Sequence, residues 1–227
     1  MTELKEPPPA HLEYILGFTA FAAGAVDVIS FVRLGGIFAS AMTGNLAFLG
    51  IYLARLSFFS AIGSTIGLCG FIAGAAIGNV LTRGKSRSWS LNRLLGIEIL
   101  LLAGVVLLWF PVGHKNGSPA ADGLITMLAV SMGLQSIVGK KINLSNIPTV
   151  VFTSTLTNLV IGLTDALAAE KFVLPKDTKR QATSFFLYFF GALVAGVMAY
   201  LNFSALVFLP VAAIAAALAA RTLQQEA

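Results

Sequence analysis

Asp27 is the residue of this chain best placed to do chemistry. It stands among apolar neighbours, six positions before Arg33. A carboxylate inside an apolar span is costly, and such acids usually face a bundle interior or water. Either Asp27 carries a proton or cation along a pathway, or it is a structural partner for Arg33, Arg55 or a backbone amide. A second constellation consists of hydroxyls and amides: Thr43 and Asn45, then Thr153, Thr155 and Asn158, with Gln135 able to join either group. Such side chains line solute and ion sites in transporters, and they serve equally well as bonds between helices. Glu98 invites a blander reading. It lies near the start of an apolar run, where it can snorkel or pair with Arg93.

Enzyme chemistry is not indicated. The chain has no GxSxG, no HExxH, no phosphate loop and no dinucleotide fingerprint. His11 and His114 sit at segment ends without an evident Ser or Cys partner. Cys69 is the single cysteine, which excludes a disulfide within the chain and leaves no metal cluster with two distant histidines. Its expected role is that of a small buried hydrophobe. No catalytic residue, metal or cofactor is therefore expected.

The elements that must position these residues are membrane helices. The chain has 227 residues, 57% hydrophobic and 11% charged, where a soluble domain carries about a quarter charged residues. The runs 34–54, 56–82, 123–139, 142–164 and 181–220 contain no charge at all. Eight apolar segments follow, roughly 12–33, 37–55, 58–82, 92–112, 123–139, 147–168, 182–201 and 204–220. Lipid offers bare backbone no hydrogen bonds, so these segments must be helices; nothing in them alternates as barrel strands do. Trp89 and Trp109 flank the fourth segment as interface anchors. Gly63, Gly67, Gly70, Gly74 and Gly78 share one face of the third, a surface suited to close helix packing. The first ten residues hold charges and three prolines rather than a basic region and an apolar core, so no cleavable signal is expected. The net charge of +5 lies in short connections, as at Arg83, Lys85, Arg87 and Arg93, which is a membrane pattern and argues against nucleic acid.

A weak internal repeat divides this single membrane domain into halves of about 1–116 and 117–227. Gly24 and Asp27 align with Gly133 and Ser136. Thr43 to Leu46 aligns with Thr153 to Leu156, and Phe71 with Gly74 aligns with Tyr188 and Gly191. If all eight segments cross, the basic residues split evenly between the two sides. If the second and sixth are interrupted or re-entrant, the halves are inverted. With the N-terminus inside, only Arg33, Arg55 and Lys115 of the 15 Lys and Arg residues then lie outside. The positive-inside rule prefers the second arrangement. Those two segments are also the richest in Thr, Asn and Ser, with Gly44 and Pro148 available to break a helix. Their polar groups are then expected to meet near the pseudo-two-fold axis.

The stretch from Ala23 to Gly50 resembles the signature of the YoaK-like family of bacterial membrane proteins, a family defined as a domain of unknown function. In the first half the likeness rests on Asp27, Gly35, Gly36, Met42, Thr43, Gly44 and Asn45; in the second, on Met132, Gly133, Gln135 and Phe152 to Leu156. Ser136 stands where the family commonly shows Asn, and Ser154 where Gly is common. The resemblance runs from about Leu16 to Ala220 and implies a compact polytopic protein of about six spans; it implies no substrate. The residues themselves favour an all-α multi-pass protein of the cell (inner) membrane with both termini cytoplasmic. The favoured activity is that of a secondary transporter or permease for a small solute or ion. The alternative is a membrane scaffold or accessory subunit that docks through the glycine face, and a homo-oligomer is compatible with either.

Overall fold

The computed structural model describes residues 10–111, 117–142, 152–169 and 173–223. The described residues form helices and connecting turns, with no strand among them. The helices are α1 (Ala10–Arg33), α2 (Met42–Ala54), α3 (Phe58–Thr82), α4 (Arg87–Trp109), α5 (Pro119–Ile142), α6 (Phe152–Ala168), α7 (Lys176–Tyr200) and α8 (Phe208–Leu223), with a short 3-10 turn at Ser204–Val207 before the last. Among the described residues six are long and apolar enough to cross a membrane: α1, α3, α4, α5, α7 and the turn with α8. α2 and α6 are not. At 1.5 Å per residue the 13 residues of α2 reach about 20 Å, short of a hydrocarbon core of roughly 30 Å. Several helices start ahead of their apolar run because polar residues carry the first turn. In α4 the Ser86 hydroxyl accepts from the Trp89 amide at 3.3 Å, capping the helix five residues before the run begins.

α1 and α5 form the centre. About 70% of their apolar windows is buried (72% and 67%), against 39% or less in the other spans, whose outer faces look at lipid. α1 packs on α7 and α8, α5 packs on α3 and α4, α2 lies on α3, and α6 lies on α7. α1 also meets α5, and α4 meets α8. Exchanging every helix for the one four places later returns the same set of pairs.

Side-chain contacts fix the directions. Arg180 pairs with Glu13 at one end of the α1–α7 contact, and Arg33 donates to the Ala199 carbonyl and to Asn202 at the other, so α1 and α7 are parallel. Lys141 donates to the Thr82 carbonyl, while Gly117 lies against the Phe59 ring, so α3 and α5 are parallel too. Arg221 donates to Ser88, and Phe110 packs on Phe208, so α4 and α8 run antiparallel. Short links reverse the chain from α3 to α4 and from α7 to α8. Hence Arg83, Lys85, Arg87, Lys140, Lys141, Lys176, Lys179, Arg180 and Arg221 gather at one end of the bundle. Arg33 and Arg55 lie at the other.

The chain re-enters the membrane between α1 and α3. Gly35 and Gly36 turn it at φ of 100° and 76°, a region open to glycine. Residues 37–41 then run back beside α1 until Ser40 stands against Asp27. That is about 9 Å below Arg33 at the helical rise. α2 climbs back to its starting face, where Tyr52, Leu34 and Phe59 line one cleft. Phe38 stacks on Phe31 at 4.6 Å and lies near Phe48, pinning the loop to both helices. In the second half α6 has 17 residues and lies against the start of α7, with Gly162 against the Thr178 side chain. Pro148, which was expected to break that segment, lies outside the described residues.

Candidate functional site

The glycine face of α3 has two duties. Gly63 and Gly67 admit Ile37, Phe38 and Asn45 of the re-entrant segment; Gly70, Gly74 and Gly78 admit α5. The crossing of α3 with α5 is reciprocal. A Cβ on Gly74 would strike the Val130 carbonyl, and one on Gly133 would strike the Phe71 carbonyl, each three residues before the opposing glycine. The α1–α7 crossing is built identically: Gly24 faces the Tyr188 carbonyl and Gly191 the Phe21 carbonyl. The surface on which a scaffold partner was expected to dock is therefore filled from within the chain.

Asp27 sits beside the Gly24–Gly191 crossing and is 2% exposed. Its Oδ1 accepts from the Ser40 amide at 2.7 Å, and its Oδ2 accepts from the Ser40 hydroxyl at 2.5 Å and the Tyr188 hydroxyl at 2.8 Å. Of its three foreseen structural partners, the backbone amide is the one present. Arg33 is engaged elsewhere, with Ala199 and Asn202. Ser40 immediately precedes Ala41, the N-cap of α2. The carboxylate thus supplies from α1 the acceptor and the negative charge that a helix N-terminus favours.

Asn45 completes the loop. It is fully buried, its Oδ1 accepts from the Phe38 amide at 2.9 Å, and its Nδ2 donates to the Phe38 carbonyl at 2.6 Å. One side chain thereby satisfies both backbone groups of a residue that has left the helix, as non-helical backbone inside a membrane requires. Asp27 and Asn45 hold the two sides of the same unwound stretch, 38–40.

The remaining expected members do not converge there. Gln135 donates to the Thr19 carbonyl at 2.9 Å, tying α5 to α1 two turns from Asp27. Thr43 and Thr153 are exposed, and Thr155 is buried on α6. α2 and α6 have different principal neighbours, α3 and α7, so their polar groups flank the bundle rather than meet at its axis. The reason is packing: α1 and α5 already fill the axis. Cys69 is exposed rather than buried. Glu98 neither snorkels nor pairs with Arg93. It is 0% exposed, and the Arg93 guanidinium lies over the Trp89 ring at 5.4 Å.

Ser40 and Tyr188 were not anticipated. Tyr188 carried a signal, since it aligns with Phe71 where its partner Asp27 aligns with Ser136. The acid and the phenol are replaced together in the other half. A cleft of about 200 Å³, lined by Gly35, Ile37, Tyr52, Ser60, Gly63 and Asp122 among others, opens beside the re-entrant loop at the end away from the basic residues. Among the described residues no group of three or more His, Cys, Asp or Glu is placed to hold a metal.

Six apolar spans with a re-entrant helix between the first two define a polytopic α-helical membrane protein. The chain belongs to the DUF1275 family, described as a protein of unknown function, whose model matches residues 15–220. It is similar to the UPF0700 transmembrane protein YoaK of Bacillus subtilis (strain 168), with 28% identity over 193 residues, which cover 83% of this chain and 84% of that protein. No solved structure matches.

Proposed function

We propose that the protein is a secondary transporter or permease for a small solute or ion, and that it is not an enzyme. One observation carries this reading: in a bundle whose corresponding helices α4 and α8 run antiparallel, an unwound segment enters the membrane and is held there by Asp27 and Asn45. Inverted halves with broken helices are the architecture of alternating access, in which freed backbone groups bind substrate. The repeated helix pairings and the two reciprocal glycine crossings support descent of the halves from one duplicated unit. Among the described residues the cleft beside the loop is lined by one charged side chain, that of Asp122. That lining favours a cation or an uncharged polar molecule over an anion.

The basic end is the cytoplasmic face under the positive-inside rule, which places both termini inside a cell (inner) membrane. The test is flux into liposomes of purified protein, screened over monovalent cations and small polar solutes. Flux that disappears in Asn45→Ala while the protein remains folded supports the proposal. An absence of flux across the panel, with stable co-purification of another membrane protein, favours the accessory-subunit alternative.

A further inference from the structure

α4 buries a stripe that runs through Leu91, Leu94, Leu95, Leu102, Val105 and Trp109, and Glu98 sits in the middle of it. Glu98 is also the midpoint of the helix, Arg87–Trp109. Its carboxyl is completely buried, and neither oxygen has a hydrogen-bond partner among the described residues. Its neighbours one turn away on α4 are leucines, Leu94, Leu95, Leu101 and Leu102. α5 packs on α4 and runs antiparallel to it, since α5 parallels α3. At the middle of α5 stands Ser131, whose buried hydroxyl also has no partner among the described residues. Two buried polar groups without a partner among the described residues therefore stand midway along two helices in contact.

An ionised carboxylate cannot remain there without a partner. Asp122, Lys140 and Lys141 are at the ends of α5, and Arg221 is in the last turn of α8, bonded to Ser88. α3 touches α4 lightly and presents no charge; its Cys69 is exposed. On α4 itself Arg87 lies at the helix start and Arg93 stacks on Trp89. Nothing charged among the described residues reaches Glu98.

We propose that Glu98 is a proton-binding site buried midway along α4, a neutral acid that exchanges its proton when the α4–α5 contact opens. This rests on the transport reading only in making the proton the coupling ion. The site itself is tested without any substrate.

The probe is dicyclohexylcarbodiimide, an apolar reagent for neutral carboxylic acids. The acid adds across one C=N bond, its proton going to nitrogen and its oxygen to the central carbon. Migration of the acyl group from oxygen to nitrogen then leaves a stable acylurea, and nothing is oxidised or reduced. Full-length protein in liposomes should gain the mass of one carbodiimide on the peptide bearing Glu98. The Glu98→Gln variant and a water-soluble carbodiimide should give none there. Melting supplies the second measurement. The folded chain holds a proton that the unfolded chain releases, so the parent's melting temperature should fall as the pH rises above the range in which a free carboxylic acid ionises, and Glu98→Gln should flatten that slope. No modification at Glu98, or a variant that keeps the parent's slope, overturns the proposal. A positive result without flux for any solute removes the transport reading alone. Flux with an unmodified Glu98 removes this inference alone.

Discussion

The α1–α7 and α3–α5 crossings have the same backbone and different chemistry. In both, two glycines let each helix approach the other's carbonyls, and both pairs run parallel. In the first, Asp27 and Tyr188 join beside the crossing and reach Ser40. In the second, the aligned residues are Ser136 and Phe71, and the Ser136 hydroxyl turns back to the Gly133 carbonyl of its own helix at 2.6 Å. The glycines are thus common structural parts. The acid and phenol serve an anchored entry of the chain into the membrane before α2.

The largest expected effect comes from breaking the common part. Gly74→Leu and Gly191→Leu force a side chain against backbone, Val130 in one case and Phe21 in the other. Overpacking typically costs about 1–3 kcal/mol, and a backbone obstacle places these variants at the upper end. Both should lose folded yield and melting temperature in detergent to a similar degree. Gly70→Leu, which meets the Ala129 methyl at 3.0 Å, should cost less, and Leu68→Ala less again. Unequal losses at Gly74 and Gly191 would mean that the crossings are not equivalent.

Asn45→Ala comes next. It removes partners from the part-buried amide and carbonyl of Phe38, and an unsatisfied buried group costs about 1–3 kcal/mol. The loss should be local, because α2 rests mainly on α3. Hydrogen exchange should rise across 37–42 and stay unchanged in α5. Exchange that rises uniformly would show that the loop is part of the global fold.

Asp27→Asn should do less, since the amide keeps the shape and still accepts a bond. It weakens charge-assisted bonds worth about 1.5–3 kcal/mol in the parent. The melting temperature should fall modestly, and adding Tyr188→Phe to the Asp27→Asn variant should cost little more. Neutralising Arg33 or Arg55 should not rescue it, because Arg33 bonds to Ala199 and Asn202. Rescue by either would restore the counter-ion reading of Asp27.

These contrasts show which physics could be read from the chain. Eight apolar segments follow from hydropathy, and the distribution of Lys and Arg with the crowding of Thr, Asn and Ser singles out the second and sixth as the two that need not cross. The turn at Gly35 and Gly36 is a local property. Partners across 161 residues, as for Asp27 and Tyr188, leave only the indirect trace of a paired replacement. Glu98 was misplaced because its burial depends on which face of α4 meets α5 and α8, and hydropathy does not decide that. The convergence of Thr43, Asn45, Thr153 and Thr155 failed because a repeat relates positions without deciding which helices occupy the axis.

The smallest perturbation tests the inversion on which the comparison stands. Lys140 and Lys176 belong to the two ends of the segment that includes α6, and both lie at the basic end. If α6 turned into a full span they would face opposite sides. Both are exposed, so Lys140→Cys and Lys176→Cys in a Cys69→Ser background should leave expression and melting unchanged. In intact cells an impermeant thiol reagent should spare both, and it should label both after the membrane is opened. Arg55→Cys, at the opposite end beside Tyr52 and Ser57, should react in intact cells. Labelling of 140 and 176 from opposite sides would make α6 a crossing helix and the halves parallel. The antiparallel run of α4 and α8, fixed by Arg221 on Ser88, would then have to be wrong as well.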